Sequence, residues 1–163
     1  MLIFGIDLIT GSVRSRTVQP KYALVIHDEG EIVKELAVSL HRLVQLIHRY
    51  QPDILAVDSV QEIAPHTQDL YRFLELLPSK TRLIVVTGGD RQIGLIQVAA
   101  RYNITFDRFD PYAEARAAAQ VAFHGAGVEV VAFEKETEIT ITRNRSPGKG
   151  GWSQNRYARK IHG

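Results

Sequence analysis

Met1-Leu2-Ile3-Phe4-Gly5-Ile6-Asp7-Leu8 opens the chain with five apolar residues and a glycine that run unbroken into a single carboxylate. A strand of that make is buried on both faces of a sheet and delivers one charge at its exit. Taken alone, Asp7 suits a turn cap as well as a site, because aspartate after a strand readily bonds its own backbone. The pattern recurs in Asp53-Ile54-Leu55-Ala56-Val57-Asp58-Ser59. A short apolar strand reached through a helix returns by a right-handed crossover to lie parallel to an earlier strand. Beside the first strand, it would bring Asp58 out at the same end as Asp7, one or two spacings of about 4.8 Å away. Two half-buried carboxylates at that range repel each other unless a cation lies between them.

Working outward, Tyr22-Ala23-Leu24-Val25-Ile26-His27 reads as a buried strand. Asp28-Glu29-Gly30 is a tight turn, and Glu31 to Val38 is the hairpin partner, so three antiparallel strands open the fold. Ser39 is placed to cap a helix carrying Leu40, Leu43, Val44, Ile47 and Tyr50 on one face. After the strand ending at Asp58, Gln61 to Pro65 reads as a loop. Leu70, Phe73, Leu74 and Leu77 then mark a helix stopped by Pro78, and Arg82 to Thr87 is the fifth strand. Ile93, Ile96, Gln97 and Ala100 suit a further helix. Asp110-Pro111 predicts an N-cap and first helical residue for an alanine-rich helix reaching about His124, with Glu114 in its first turn. The run Ala117-Ala118-Ala119 lets that helix lie close to the sheet. Val128 to Phe133 and Glu138 to Thr142 form a final hairpin, and Arg156 to Ile161 reads as the start of a helix that the chain end cuts short, which suggests a longer protein.

The 163 residues suit one domain at residues 1–142, with a basic, glycine-rich arm at 143–163. Six of the twenty Lys and Arg lie in that arm with none of the eighteen acids, so the arm carries +6 and the remainder −4. Such a division predicts an arm that meets phosphate backbones. Cysteine is absent, which excludes disulfides, Cys–zinc sites and thiol catalysis. No stretch approaches the roughly 20 apolar residues of a membrane helix, and the expectation is a cytoplasmic protein.

The order β-β-β-α-β-α-β-α-α followed by a hairpin resembles the RNase H-like superfamily, and within it the RuvC-like Holliday-junction resolvases, along with uncharacterised archaeal proteins of that fold. Phe4-Gly5-Ile6-Asp7 looks like the resolvase first strand, and Leu55-Ala56-Val57-Asp58 sits where the second acid falls. Ala113-Glu114-Ala115-Arg116-Ala117-Ala118-Ala119 is similar to the final acidic helix, and Val86-Thr87-Gly88-Gly89-Asp90 to the passage after the fifth strand. The resemblance implies an α/β fold: a mixed five-stranded RNase H-like sheet flanked by helices, extended here by the hairpin and basic tail. It implies an endonuclease with two Mg²⁺ or Mn²⁺ ions bridged by Asp7 and held by Asp58, Asp110 and Glu114, these four being the candidate catalytic residues, and it implies a homodimer. The family's fourth acid falls at Pro111 in this chain, so Asp110, one residue back, takes its place, with Asp107 as the alternative.

Carboxylates repel a polyanionic substrate, so cations must hold it. Arg14, Arg16 and Lys21 in the first loop, and Arg143, Arg145, Lys149, Arg156, Arg159 and Lys160 in the arm, are the candidates for backbone contact. Trp152 or Tyr157 is available to stack on an unpaired base. The arm carries a second resemblance. Gly150-Gly151-Trp152-Ser153-Gln154-Asn155-Arg156-Tyr157-Ala158-Arg159 looks like the glycine-glycine-glutamine loop of class-1 release factors and related peptidyl-tRNA hydrolases, with Trp152 in the glutamine position. That likeness implies contact with the ribosome or tRNA. The expectations are therefore a nucleic-acid-binding nuclease, a non-catalytic RNA- or ribosome-binding module, or a release-factor-like peptidyl-tRNA hydrolase.

Overall fold

The computed structural model describes residues 1–10, 19–88, 93–107, 109–132, 138–143 and 156–160. Three strands open the chain: β1 (Leu2–Thr10), β2 (Lys21–Asp28) and β3 (Glu31–Ser39). Helix α1 (Leu40–Tyr50) leads to β4 (Ile54–Val57), and a 3-10 turn at Val60–Glu62 precedes α2 (Thr67–Leu76). Then come β5 (Arg82–Val85), α3 (Leu95–Ala100), α4 (Ala113–Phe123), β6 (Val128–Ala132), β7 (Glu138–Arg143) and β8 (Arg156–Lys160).

Strands β1 to β6 form a mixed sheet with helices on both faces. The expected hairpin is present as β6 and β7, and with β8 it extends the same sheet beyond the five strands expected, giving the order β3-β2-β1-β4-β5-β6-β7-β8. Strands β1, β4 and β5 are parallel neighbours; β2 and β6 run against them, and β3, antiparallel to β2, shares their direction. The doubly buried strands predicted from composition are present: Ile3, Phe4 and Ile6 of β1 and all four residues of β4 are sealed from solvent. On one face Phe4, Ile6, Tyr22 and Leu24 pack with Leu43, Ile47, Leu70 and Phe73 of α1 and α2. On the other, Ile3, Ala56 and Ile84 meet Val98 and the alanines of α4. Ser39 Oγ accepts the Arg42 N–H at 3.1 Å, capping α1 as expected.

Gly5 sets how closely α4 approaches the sheet. A β-carbon there would overlap the carbonyl oxygen of Ala115 and come within 2.9 Å of the Ala119 β-carbon. Only glycine beneath and alanine above permit that approach. It brings the first turn of α4 down onto the end of β1.

Two expected features are corrected. Helix α4 begins at Ala113 with Tyr112 at its N-cap, not at Pro111 with Asp110 as the cap. Asp110 Oδ1 accepts the N–H of Tyr112, two residues on, and its main-chain carbonyl accepts that of Ala113, so aspartate closes a turn ahead of the helix. Residues Arg156–Lys160 form strand β8, antiparallel to β7, not the start of a helix. A helix of a few residues without a packed face is marginal in water, whereas the open edge of β7 offers a full ladder of partners. Among the described residues no helix is long and apolar enough to cross a membrane.

Candidate metal centre

Asp7 and Asp58 emerge side by side. The β1–β4 register pairs Ile6 with Val57, so each acid follows the last paired residue of its strand. Gly5, which faces α4, is two residues before Asp7, and strand alternation turns the Asp7 side chain to that same face. The close seat of α4 on Gly5 then delivers Glu114 to Asp7. The third carboxylate is Glu62, the last residue of the 3-10 turn between β4 and α2. Oxygens of Asp7, Glu62 and Glu114 all lie within 4.8 Å of one another, so these three residues could hold a metal ion.

The main chain that carries Glu62 is tied at several points. The Thr87 hydroxyl donates to the Asp58 carbonyl at 2.9 Å, and the buried Tyr22 hydroxyl donates to the Glu62 carbonyl at 2.8 Å. Ser59 Oγ accepts the Gln61 N–H at 3.2 Å, capping the turn.

Crowding of these acids away from water raises their proton affinity. Burial, then the charge of Glu114, lifts the Asp7 carboxyl to about 7. Burial, then the charge of Asp7, lifts Glu62 to about 9. Asp58 is raised by burial and by Glu114. A proton retained by one of these acids can be shared with its neighbour, which couples Glu62 to Asp7 and Asp7 to Glu114. The buried Oε2 of Glu62 has no hydrogen-bond partner among the described residues. A buried carboxylate oxygen left unpaired is costly, and a cation or a proton relieves it. The donor set is all oxygen, which suits hard divalent cations. Oxygen-only ligands, an unpaired buried oxygen and mutual repulsion therefore all fit a site for such an ion.

Of the four acids expected from sequence, Asp7 and Glu114 meet in the cluster and Asp58 stands within its electrostatic reach. Asp110 is turned elsewhere. Its carboxylate accepts from Arg116 Nη1 at 3.1 Å, while Arg116 Nη2 reaches Glu35 of β3 at 2.7 Å. The Tyr112 N–H and Arg116 together hold the Asp110 carboxyl below its usual range. Asp107, the alternative, is spent on the Phe109 N–H at 2.9 Å. Glu62 was missed because Gln61 to Pro65 carries no periodicity. The available signal was an acid four residues beyond a strand-ending aspartate.

Among the expected cations, Lys21 is exposed at the start of β2, paired with Thr10 of β1 at the end of the sheet where Asp7 emerges. Arg14, Arg16, Arg145, Lys149 and Trp152 lie outside the described residues. The ladders place Arg143, opposite Val128, and Arg156, opposite Thr142, at the same end of the sheet as the acids. Arg159 and Lys160 fall toward the other end of β8.

Comparison with protein-family models, with curated proteins and with solved structures gives no match for this chain.

Proposed function

We propose that this protein is an RNase H-like, Mg²⁺- or Mn²⁺-dependent nuclease that hydrolyses phosphodiesters in branched or structured nucleic acid. The observation that carries this reading is the convergence of the Asp7, Glu62 and Glu114 carboxylates within 4.8 Å on three different elements, a strand, a turn and a helix. Turn caps do not converge in this way. The central order β3-β2-β1-β4-β5, with acids leaving β1 and β4 side by side and a third on a helix against β1, supports the RNase H-like reading.

A divalent cation bound there would supply an activated water and charge neutralisation for the departing oxygen. The chain's own residues hold it: Asp7 from the centre of the sheet, Glu62 from the turn and Glu114 from α4. Asp58 adds negative charge beside them, which disfavours the empty, ionised site and so favours cation uptake. The protons that Asp7 and Glu62 retain near neutrality must leave when a cation enters. Lys21, and the strand positions of Arg143 and Arg156, put cations at the end of the sheet where a phosphate backbone would approach.

The test joins binding to turnover. Calorimetric titration with Mn²⁺ should show uptake that Asp7→Asn abolishes, and a labelled four-way DNA junction should be cut in Mn²⁺ by the wild type and not by the variant. Uptake without cleavage of junction, duplex or structured RNA would move the protein to a non-catalytic binding module. Absence of uptake would remove the metal reading altogether.

A further inference from the structure

Two buried hydroxyls bracket the segment that carries Glu62. Tyr22 rises from β2, on the outer side of β1, and its fully buried ring is fixed in the core with Leu24 and Phe4. Thr87 follows β5, on the outer side of β4. The strand that carries Asp7 and the strand that leads to Asp58 therefore lie between the strand that bears Tyr22 and the strand that leads to Thr87. Both hydroxyls bond main chain: Tyr22 holds the Glu62 carbonyl and Thr87 the Asp58 carbonyl. Between these two points runs a 3-10 turn of three residues, too short to be stiff by its own hydrogen bonds.

We propose that Tyr22 and Thr87 are positioning residues that fix both ends of the Asp58–Glu62 segment and thereby set which divalent cation the Asp7–Glu62–Glu114 site prefers. The inference rests on the metal-site reading given above. Mg²⁺ needs near-octahedral oxygens at about 2.0–2.1 Å, whereas Ca²⁺ accepts irregular sets at about 2.3–2.6 Å. Glu62 is the ligand on the softest element, so the stiffness of its main chain decides whether the cluster can close on a small ion. Asp7 and Glu114 need no such help, since β1 and α4 are locked together at Gly5. Loss of one clamp lets Glu62 drift outward, a movement that weakens a small ion more than a large one.

The test uses the full chain with Tyr22→Phe, Thr87→Val and Thr87→Ser, titrated calorimetrically with Mn²⁺ and with Ca²⁺ alone. Outer-shell partners of metal ligands are typically worth about 10- to 100-fold in affinity. Tyr22→Phe and Thr87→Val should each lose about 10-fold or more for Mn²⁺ and distinctly less for Ca²⁺. Thr87→Ser, which keeps the hydroxyl, should retain the wild-type ratio of the two affinities. Thermal midpoints without metal identify a variant that fails to fold, and the Thr87 pair decides the matter if Tyr22→Phe does. An unchanged Mn²⁺-to-Ca²⁺ ratio in folded Thr87→Val overturns the inference while leaving the metal site intact. A wild-type protein that takes up neither ion overturns the metal reading and this inference together.

Discussion

Gly5 of β1 lies so close under Ala115 of α4 that a single methyl group at Gly5 would occupy the space of the Ala115 carbonyl oxygen. This packing ties fold to site, because Asp7 is two residues along the strand and Glu114 is the neighbour of Ala115. Gly5→Ala should destabilise the protein by about 3 kcal/mol or more, at the upper end of overpacking costs, since the obstacle is backbone and not a flexible side chain. Urea unfolding measures the loss. In whatever fraction folds, Mn²⁺ affinity should drop as well, because lifting α4 carries Glu114 away from Asp7.

Stability without metal should fall as pH rises from about 7 to above 9. In the unfolded chain both carboxyls lose their protons near pH 4, whereas folded Asp7 keeps its proton to about 7 and folded Glu62 to about 9. The folded state therefore binds more protons across that window, and the stabilisation present at low pH is lost as each carboxyl ionises. His27, which burial depresses, acts in the opposite sense, its contribution being lost as pH falls. Scanning calorimetry at pH 7 and pH 9.5 checks the sign, and a midpoint that rises over this interval would contradict it. Saturating Mn²⁺ should cancel the decline, because ionised carboxylates are the form that binds.

Glu62 and Asp110 should behave as opposites. Glu62→Gln should cut Mn²⁺ affinity by more than the about 10- to 100-fold that loss of an outer-shell partner costs, and it should raise the metal-free thermal midpoint above pH 9 by removing a buried charge. Asp110→Asn should leave Mn²⁺ affinity within about 2-fold of wild type. Its cost should fall on the Arg116 ion pair, seen as faster amide exchange at the start of α4. If Asp110→Asn abolished metal uptake, the choice of Glu62 over Asp110 would be wrong.

How much of this could be read beforehand follows element length. Strands β1 and β4 announced themselves by unbroken apolar runs, and their shared direction placed Asp7 beside Asp58 before any coordinates. Glu114 was legible through the likeness of its helix to the resolvase acidic helix, and the alanine run let that helix lie close to the sheet. Glu62 was not, since a three-residue turn has no period, and the Tyr22 hydroxyl that fixes it comes from forty residues away. Asp110 was read correctly as a residue whose carboxylate bonds backbone ahead of the helix, but the helix starts at Ala113 and not at Pro111. Strand β8 was misread because Arg156-Tyr157-Ala158-Arg159-Lys160 lacks the alternation of a half-buried strand, and its conformation comes from pairing with β7.

The cations of the last two strands should divide by position. Replacing Arg143 and Arg156 with glutamine should weaken junction-DNA binding and lower the slope of log affinity against log salt by up to about 1.8, near 0.9 for each phosphate that is no longer neutralised. Replacing Arg159 and Lys160, at the far end of β8, should change that slope by less than half as much. Fluorescence anisotropy at several salt concentrations distinguishes the pairs, and equal effects would detach nucleic-acid binding from the end of the sheet that bears the acids.

The bonds that Tyr22 and Thr87 make are to carbonyl oxygens, which every amino acid possesses. The scaffold is thus indifferent to which side chain occupies position 62, while the chemistry depends on it entirely. Over generations, a lineage carrying this fold could exchange glutamate there for aspartate, glutamine or serine, and so gain, retune or abandon an ion, without first passing through a misfolded ancestor.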